Sequence, residues 1–144
     1  MRLALAEAEK AQAQDEVPVG CVIVDADENV IGRGHNTRER EYDPTAHAEI
    51  VAIREAAKKL EAWRLLDCTL YVTLEPCIQC VGAMILARIP RVVYGCGDPK
   101  GGALGGVIDL SAVEGVNHHL DVTPGILAEE CSTLLKTFFK KLRS

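Results

Sequence analysis

The stretch Cys68-Thr69-Leu70-Tyr71-Val72-Thr73-Leu74-Glu75-Pro76-Cys77-Ile78-Gln79-Cys80 changes character at its centre. Cys68 to Leu74 is rich in β-branched and aromatic residues, which suit a pleated, half-buried strand. Pro76 has no N–H to lose and a φ already set for a first helical turn, so a helix is read from Pro76 to about Ala87. Another strand follows at Arg91 to Gly95. Strands alternating with helices in this way make an α/β domain, with helices packed on a mixed sheet.

Working outward, Leu3 to Gln14 has amphipathic helical spacing, and Val17 to Asp25 and Val30 to His35 read as a hairpin joined by the polar turn Asp27-Glu28-Asn29. A second helix is expected to begin near Asp43-Pro44-Thr45, where Asp or Thr can cap and Pro suits the first position. Ile50, Ile53, Ala57 and Leu60 would form its apolar stripe, and Lys58 and Lys59 suit its C-terminal end. Beyond the glycine-rich Gly101 to Gly106 come a short strand around His119 to Val122 and a last helix, Ile126 to Leu142. About five strands result. No linker, charge block or repeat divides the chain, so residues 1–144 read as a single domain.

With 144 residues, 48% of them apolar, the chain can bury roughly 70% of its unfolded surface and does not require disulfides. A net charge of −5 argues against a protein that coats nucleic acid with a broadly basic surface. The apolar run from Pro76 to Ala87 is about half the ~20 residues of a membrane span. Glu7, Glu9 and Lys10 interrupt any signal-peptide core, so a cytoplasmic location is expected, where six Cys read as thiols or metal ligands.

Cys77 and Cys80, at i and i+3 on one helix, can converge on a single ion. The helix N-terminus favours their thiolates, because its free N–H groups stabilise negative charge. His47, in Thr45-Ala46-His47-Ala48-Glu49, offers an imidazole at another predicted helix start. Two thiolates and an imidazole suit one zinc ion per chain, with a fourth tetrahedral position left for chemistry. His47 and Glu49 would lie on opposite sides of a continuous helix, but at a first turn both can approach one point. Glu49 then serves better as a proton carrier than as a ligand, the arrangement needed for hydrolytic deamination.

A Cys-x-x-Cys alone also suits a redox pair or half of a structural zinc site, but no second Cys-x-x-Cys closes a four-sulfur site. Cys21, Cys68, Cys96 and Cys131 read as small core residues. The Gly101–Gly106 stretch lacks the ending of a phosphate-binding loop and reads as a connector or as flexible backbone beside a bulky substrate.

The His-Ala-Glu and Pro-Cys-x-x-Cys pair resembles the zinc-dependent nucleobase deaminases. The likeness extends to Val17-Pro18-Val19-Gly20, Gly34-His35-Asn36, Asp43-Pro44-Thr45-Ala46-His47-Ala48-Glu49-Ile50, Leu70 through Cys77, Arg91-Val92-Val93-Tyr94-Gly95, Asp98-Pro99-Lys100 and Asn117-His118. Across nearly the whole chain the similarity is to the tRNA-specific adenosine deaminases. That resemblance implies a three-layer α/β/α, cytidine-deaminase-like fold, zinc held by His47, Cys77 and Cys80, and Glu49 as proton shuttle. It also implies a wobble adenosine in a tRNA anticodon, chiefly of an arginine tRNA, as substrate, and a homodimer with each site near the subunit interface. Asn36 would hydrogen-bond the inserted base, or else close a turn after Gly34. Asp98 would lie in a loop touching flanking nucleotides, or be a turn residue before Pro99. The alternative within the same chemistry is a deaminase of a free nucleobase or nucleoside such as guanine or cytosine. A structural zinc module, for which Glu49 would be dispensable, is the non-enzymatic alternative.

Family members carry several residues before the first helix, so the start at Met1 is expected to be truncated or a later methionine. Gly106 stands where Ser is common, and His119 where Arg is common. Ser132 to Ser144 carries Lys136, Lys140, Lys141 and Arg143 without an acid, either a phosphate-contacting end or a solvated helix terminus. Phe138-Phe139 offers at most one ring for stacking on a base, adjacent aromatics on such a helix being more often core.

Overall fold

The computed structural model describes all 144 residues. Its elements are α1 (Arg2–Ala13), β1 (Gly20–Val24), β2 (Val30–His35), α2 (Arg38–Glu41), α3 (Ala48–Leu60), β3 (Thr69–Leu74), α4 (Ile78–Leu86), β4 (Arg91–Cys96), β5 (Asp121–Thr123) and α5 (Ala128–Arg143). The five strands form one mixed sheet in the order β2-β1-β3-β4-β5. β1 runs antiparallel to β2 and β3, whereas β3, β4 and β5 are parallel. The β1–β2 hairpin closes as expected, Asp25 Oδ1 accepting from the N–H groups of Asp27 at 3.0 Å and Asn29 at 2.9 Å.

Gly20 faces α1, and its neighbour Cys21 pairs with Gly34, which faces α3. Because side chains alternate along a strand, α1 and α3 cover opposite faces. α5 lies beside α1, with Arg2 and Glu130 3.6 Å apart, and α4 packs beside α3. The result is the α/β/α layering that the family resemblance implied.

The approach of α3 to β2 is unusually close. A Cβ at Gly34 would strike the Ala48 carbonyl and the Ala52 amide, and one at Gly32 would strike the Ala52 carbonyl. Ala48, Ala52 and Ala56 are fully buried at this contact, whereas Leu60 is 41% exposed and Ile50 and Ile53 are only partly buried. The expected Ile/Leu stripe is therefore replaced by alanines as the main contact face, since only small residues fit against a bare strand.

Two helix starts also differ from expectation. α3 begins at Ala48 rather than near Asp43, because Asp43 Oδ1 turns back to accept from the Thr45 N–H at 2.8 Å and hydroxyl at 2.7 Å. α4 begins at Ile78 rather than Pro76: Cys77 is extended, and the Pro76 carbonyl accepts from Ala103 N–H. The short α2 has no counterpart in the sequence reading. The last helix begins at Ala128 because Leu127 is left-handed (φ 55°). Phe138 is buried and Phe139 41% exposed, their rings edge-to-face with centroids 5.4 Å apart. Cys21, Cys68 and Cys131 are buried as expected, but Cys96 is only half-buried, at the end of β4.

Gly34→Ala is expected to lower folding stability by about 1–3 kcal/mol through overpacking. Urea unfolding checks this as a reduced midpoint at unchanged slope.

Candidate metal centre and pocket

Each candidate ligand group sits where extended chain hands over to a helix. His47 is the N-cap of α3 (φ −74°, ψ 155°), and Cys77 is the N-cap of α4 (φ −81°, ψ 179°). Glu49 and Cys80 lie in the first turns of these helices. Gln79 ties the two starts together, its Nε2 donating to the Thr45 carbonyl at 3.2 Å. Two helix N-termini thus meet at the end of the sheet where β3 and β4 finish, the crevice in which open α/β sheets bind ligands.

His47 Nδ1 lies 3.5 Å from Cys77 Sγ and 3.4 Å from Cys80 Sγ. All three ligand atoms are within 4.8 Å of one another. Ligands at 2.0–2.3 Å from a tetrahedral ion stand roughly 3.5 Å apart, and the two His47–sulfur distances match that spacing. The Cys77 thiol is lowered to about 3, chiefly by the Cys80 side chain and then by His47, against the opposing effect of burial. Cys80 is pushed up by the same sulfur contact and by burial. Hydrogen bonding to the Cys77 sulfur, which favours the protonated imidazole, raises His47. Burial raises the Glu49 carboxyl.

These groups lie at a cavity of about 180 Å³ whose lining includes Val17, Val19, Asn36, Arg38, Leu74 and Asp98. Glu49, only 4% exposed, and Glu75 also line it, while Cys80 lies behind it, fully buried. Pockets that enclose drug-sized ligands run to ~300–1,000 Å³, so this one accepts a flat ring rather than a whole nucleotide.

Asn36 donates from Nδ2 to the Val17 carbonyl at 3.3 Å and accepts from Arg38 N–H at 3.1 Å. It closes a turn, as one reading held, while lining the pocket, with two of its four hydrogen-bonding positions used in these bonds. Asp98 Oδ1 accepts from the N–H groups of Lys100 and Gly101 at 3.0 and 3.1 Å, which makes it a turn residue, and the residue also lines the pocket.

Sequence reasoning missed two buried carboxylates around the site. Glu16, 1% exposed, accepts from Glu39 and Arg40 N–H at 3.1 and 2.8 Å and so caps α2 from a distance. Glu75 accepts from the N–H groups of Asp98, Leu104 and Gly106. Their partners are 23 to 31 residues away along the chain, so neither residue had a local capping signal.

The cytidine and deoxycytidylate deaminase zinc-binding region matches residues 1–96 of this chain. Over 143 residues the chain is 52% identical to the tRNA-specific adenosine deaminase of Haemophilus influenzae, covering 99% of this chain and 83% of that protein. It is 49% identical to the Bacillus subtilis protein of the same name, covering 99% and 88%. A structure solved in a study of A-to-I editing by tRNA:A34 deaminases at the wobble position superposes with a TM-score of 0.90 at 44% identity, covering 94% of this chain and 97% of that one. Guanine deaminase from Bacillus subtilis superposes with a TM-score of 0.64 at 31% identity, covering 99% and 90%.

Cys80→Ala is expected to cost the purified protein its stoichiometric zinc, measured by atomic emission. Unchanged zinc content would remove Cys80 from the ligand set.

Proposed function

The chain belongs to the zinc-binding cytidine and deoxycytidylate deaminase family, and from that premise we propose that it converts the wobble adenosine of a tRNA anticodon, in an arginine tRNA, to inosine. The observation that carries the chemistry is the meeting of a Cys₂His donor set with the buried Glu49 carboxyl in one base-sized pocket. Near-full-length likeness to tRNA-acting relatives at 49–52% identity, against 31% for a guanine deaminase, supports the substrate. An adjoining groove lined by Arg38, Arg40, Phe138 and Leu142 supports a substrate longer than a free base.

His47, Cys77 and Cys80 would hold zinc, which when bound acts as a Lewis acid and lowers the pKa of water to about 7. In the net reaction water oxygen replaces the exocyclic amine at C6, the C–N bond breaks and ammonia leaves. Glu49 carries the proton between them: its raised carboxyl can accept one from water and deliver it to the departing nitrogen. Val17, Val19 and Leu74 give the ring apolar walls, and the Asn36 amide orients it. Asp98 stands at the rim, where a flanking nucleotide would pass.

The protein would act in the cytoplasm, where tRNA is processed, and no helix is long and apolar enough to cross a membrane. It would act as a homodimer. Ile78 and Leu86 of α4 are 63% and 71% exposed, and nothing lies near Gly82 between them, an apolar strip suited to a second copy. Leu86→Glu is expected to shift the protein toward monomer in sedimentation equilibrium; an unchanged mass would move the interface elsewhere.

The decisive assay incubates zinc-loaded protein with an unmodified anticodon stem-loop bearing wobble adenosine and measures inosine. No inosine, or turnover of guanine or cytidine instead, would overturn the proposal. Glu49→Ala should retain zinc and fold yet lose about 10²–10⁴-fold in rate. Near-normal activity in that variant would assign proton transfer to another group.

A further inference from the structure

We propose that Glu75 is a positioning residue whose buried carboxylate fixes the loop of residues 97–106, and with it Asp98, at the rim of the pocket. Glu75 follows β3 directly and precedes Cys77 by two residues. It is 3% exposed. Its Oε1 accepts from Asp98 N–H at 2.9 Å, and its Oε2 accepts from Leu104 N–H at 2.9 Å and Gly106 N–H at 2.8 Å. Two backbone bonds flank this clamp: Glu75 N–H donates to the Cys96 carbonyl and Ala103 N–H to the Pro76 carbonyl, both at 2.8 Å. The turn that presents Cys77 and the loop that presents Asp98 are thereby held as one unit.

The loop has turn bonds of its own, among them Gly102 N–H to the Asp98 carbonyl and Leu110 N–H to the Ala103 carbonyl, both at 2.9 Å, but little side-chain packing to seat it against the rest of the protein. Gly101, Gly102, Gly105 and Gly106 have no side chains to pack and the largest backbone entropy to lose. Of its larger side chains, Leu104 is buried, while Pro99 and Lys100 are exposed. Gly102 is required by the clamp itself, since a Cβ there would collide with the Glu75 carboxylate. Three N–H groups converging on one anionic acceptor are charge-assisted bonds, stronger than neutral ones. Glutamine fills the same volume but presents an NH₂ group where an N–H already points, so at least one bond is lost and a donor faces a donor.

The substrate arm of this proposal rests on the tRNA reading; the structural arm does not. In Glu75→Gln, hydrogen exchange at the amides of Asp98, Leu104 and Gly106 should accelerate by about tenfold or more. Zinc content should stay stoichiometric. KM for the anticodon stem-loop should rise about 10- to 100-fold with kcat little changed, as expected when a contact surface is misplaced. Gly102→Ala, which keeps Glu75 but displaces the loop, should reproduce the KM defect and guards against a folding failure of the first variant. Normal exchange together with normal KM in Glu75→Gln would overturn the proposal. So would loss of zinc with a fall confined to kcat, which would make Glu75 a support of the metal turn alone. If the wild-type protein leaves the stem-loop unmodified, the tRNA reading fails, and amide exchange by itself decides the role of Glu75.

Discussion

Contact between the bare backbone of β2 and the alanine face of α3 sets the distances on which the site depends. Gly32 and Gly34 leave no side chain between strand and helix, and Ala48, Ala52 and Ala56 add only methyl groups. α3 is therefore seated against the sheet, and its first residue follows His47. A zinc site tolerates ligand distances within about 0.2 Å. A larger residue at either face would carry the imidazole off the two sulfurs, which are fixed independently by β3 and α4. The Gln79 bond to the Thr45 carbonyl joins the two helix starts directly, so both the packing and a polar tie hold the same geometry.

Buried carboxylates around this point divide into two kinds. Glu16 and Glu75 are surrounded by backbone N–H groups, two for the first and three for the second, and these replace the water that each oxygen gave up. Such groups suit fixed anionic anchors. Glu49 lies in the first turn of α3 beside the candidate ligands, and burial raises its carboxyl. A carboxyl whose charged form is disfavoured by burial can exchange a proton closer to neutrality. The environment, more than the residue type, separates these anchors from Glu49, for which proton transfer is proposed.

The element order and the site chemistry were legible because both are written locally. β-branched runs, Pro76 and the Cys77/Cys80 spacing act over a few residues, and the hairpin is announced by its polar Asp27-Glu28-Asn29 turn, although its register shift between Ile23 and Val24 is not. What was hidden depends on partners far along the chain. The start of α3 moved from Asp43 to Ala48 because Asp43 prefers its own Thr45 turn, a contest between two local options that composition does not decide. The true contact stripe was masked because apolar spacing favours Ile and Leu, whereas the bare glycine strand on the other side selects alanine. Glu16 and Glu75 look like ordinary surface acids until the fold brings distant backbone amides to them.

Those hidden acids also change what the net charge means. Of the 21 acidic residues, Glu7, Glu16, Glu49 and Glu75 are buried. Glu7 is paired with Lys10 at 2.7 Å, and Glu16 and Glu75 are bonded to backbone N–H groups. Their charge is met inside the protein rather than presented to a polyanion. Arg38 and Arg40 beside the pocket, and Lys140, Lys141 and Arg143 at the end of α5, are exposed to solvent. Asp15 and Glu39 line the same groove as Arg38 and Arg40, and over a Debye length of about 8 Å at physiological salt such neighbours matter more than a total of −5 summed over the whole chain. An acidic composition is thus compatible with a small anionic footprint at the pocket mouth, because the field that a substrate meets there is set by neighbouring side chains and not by the sum.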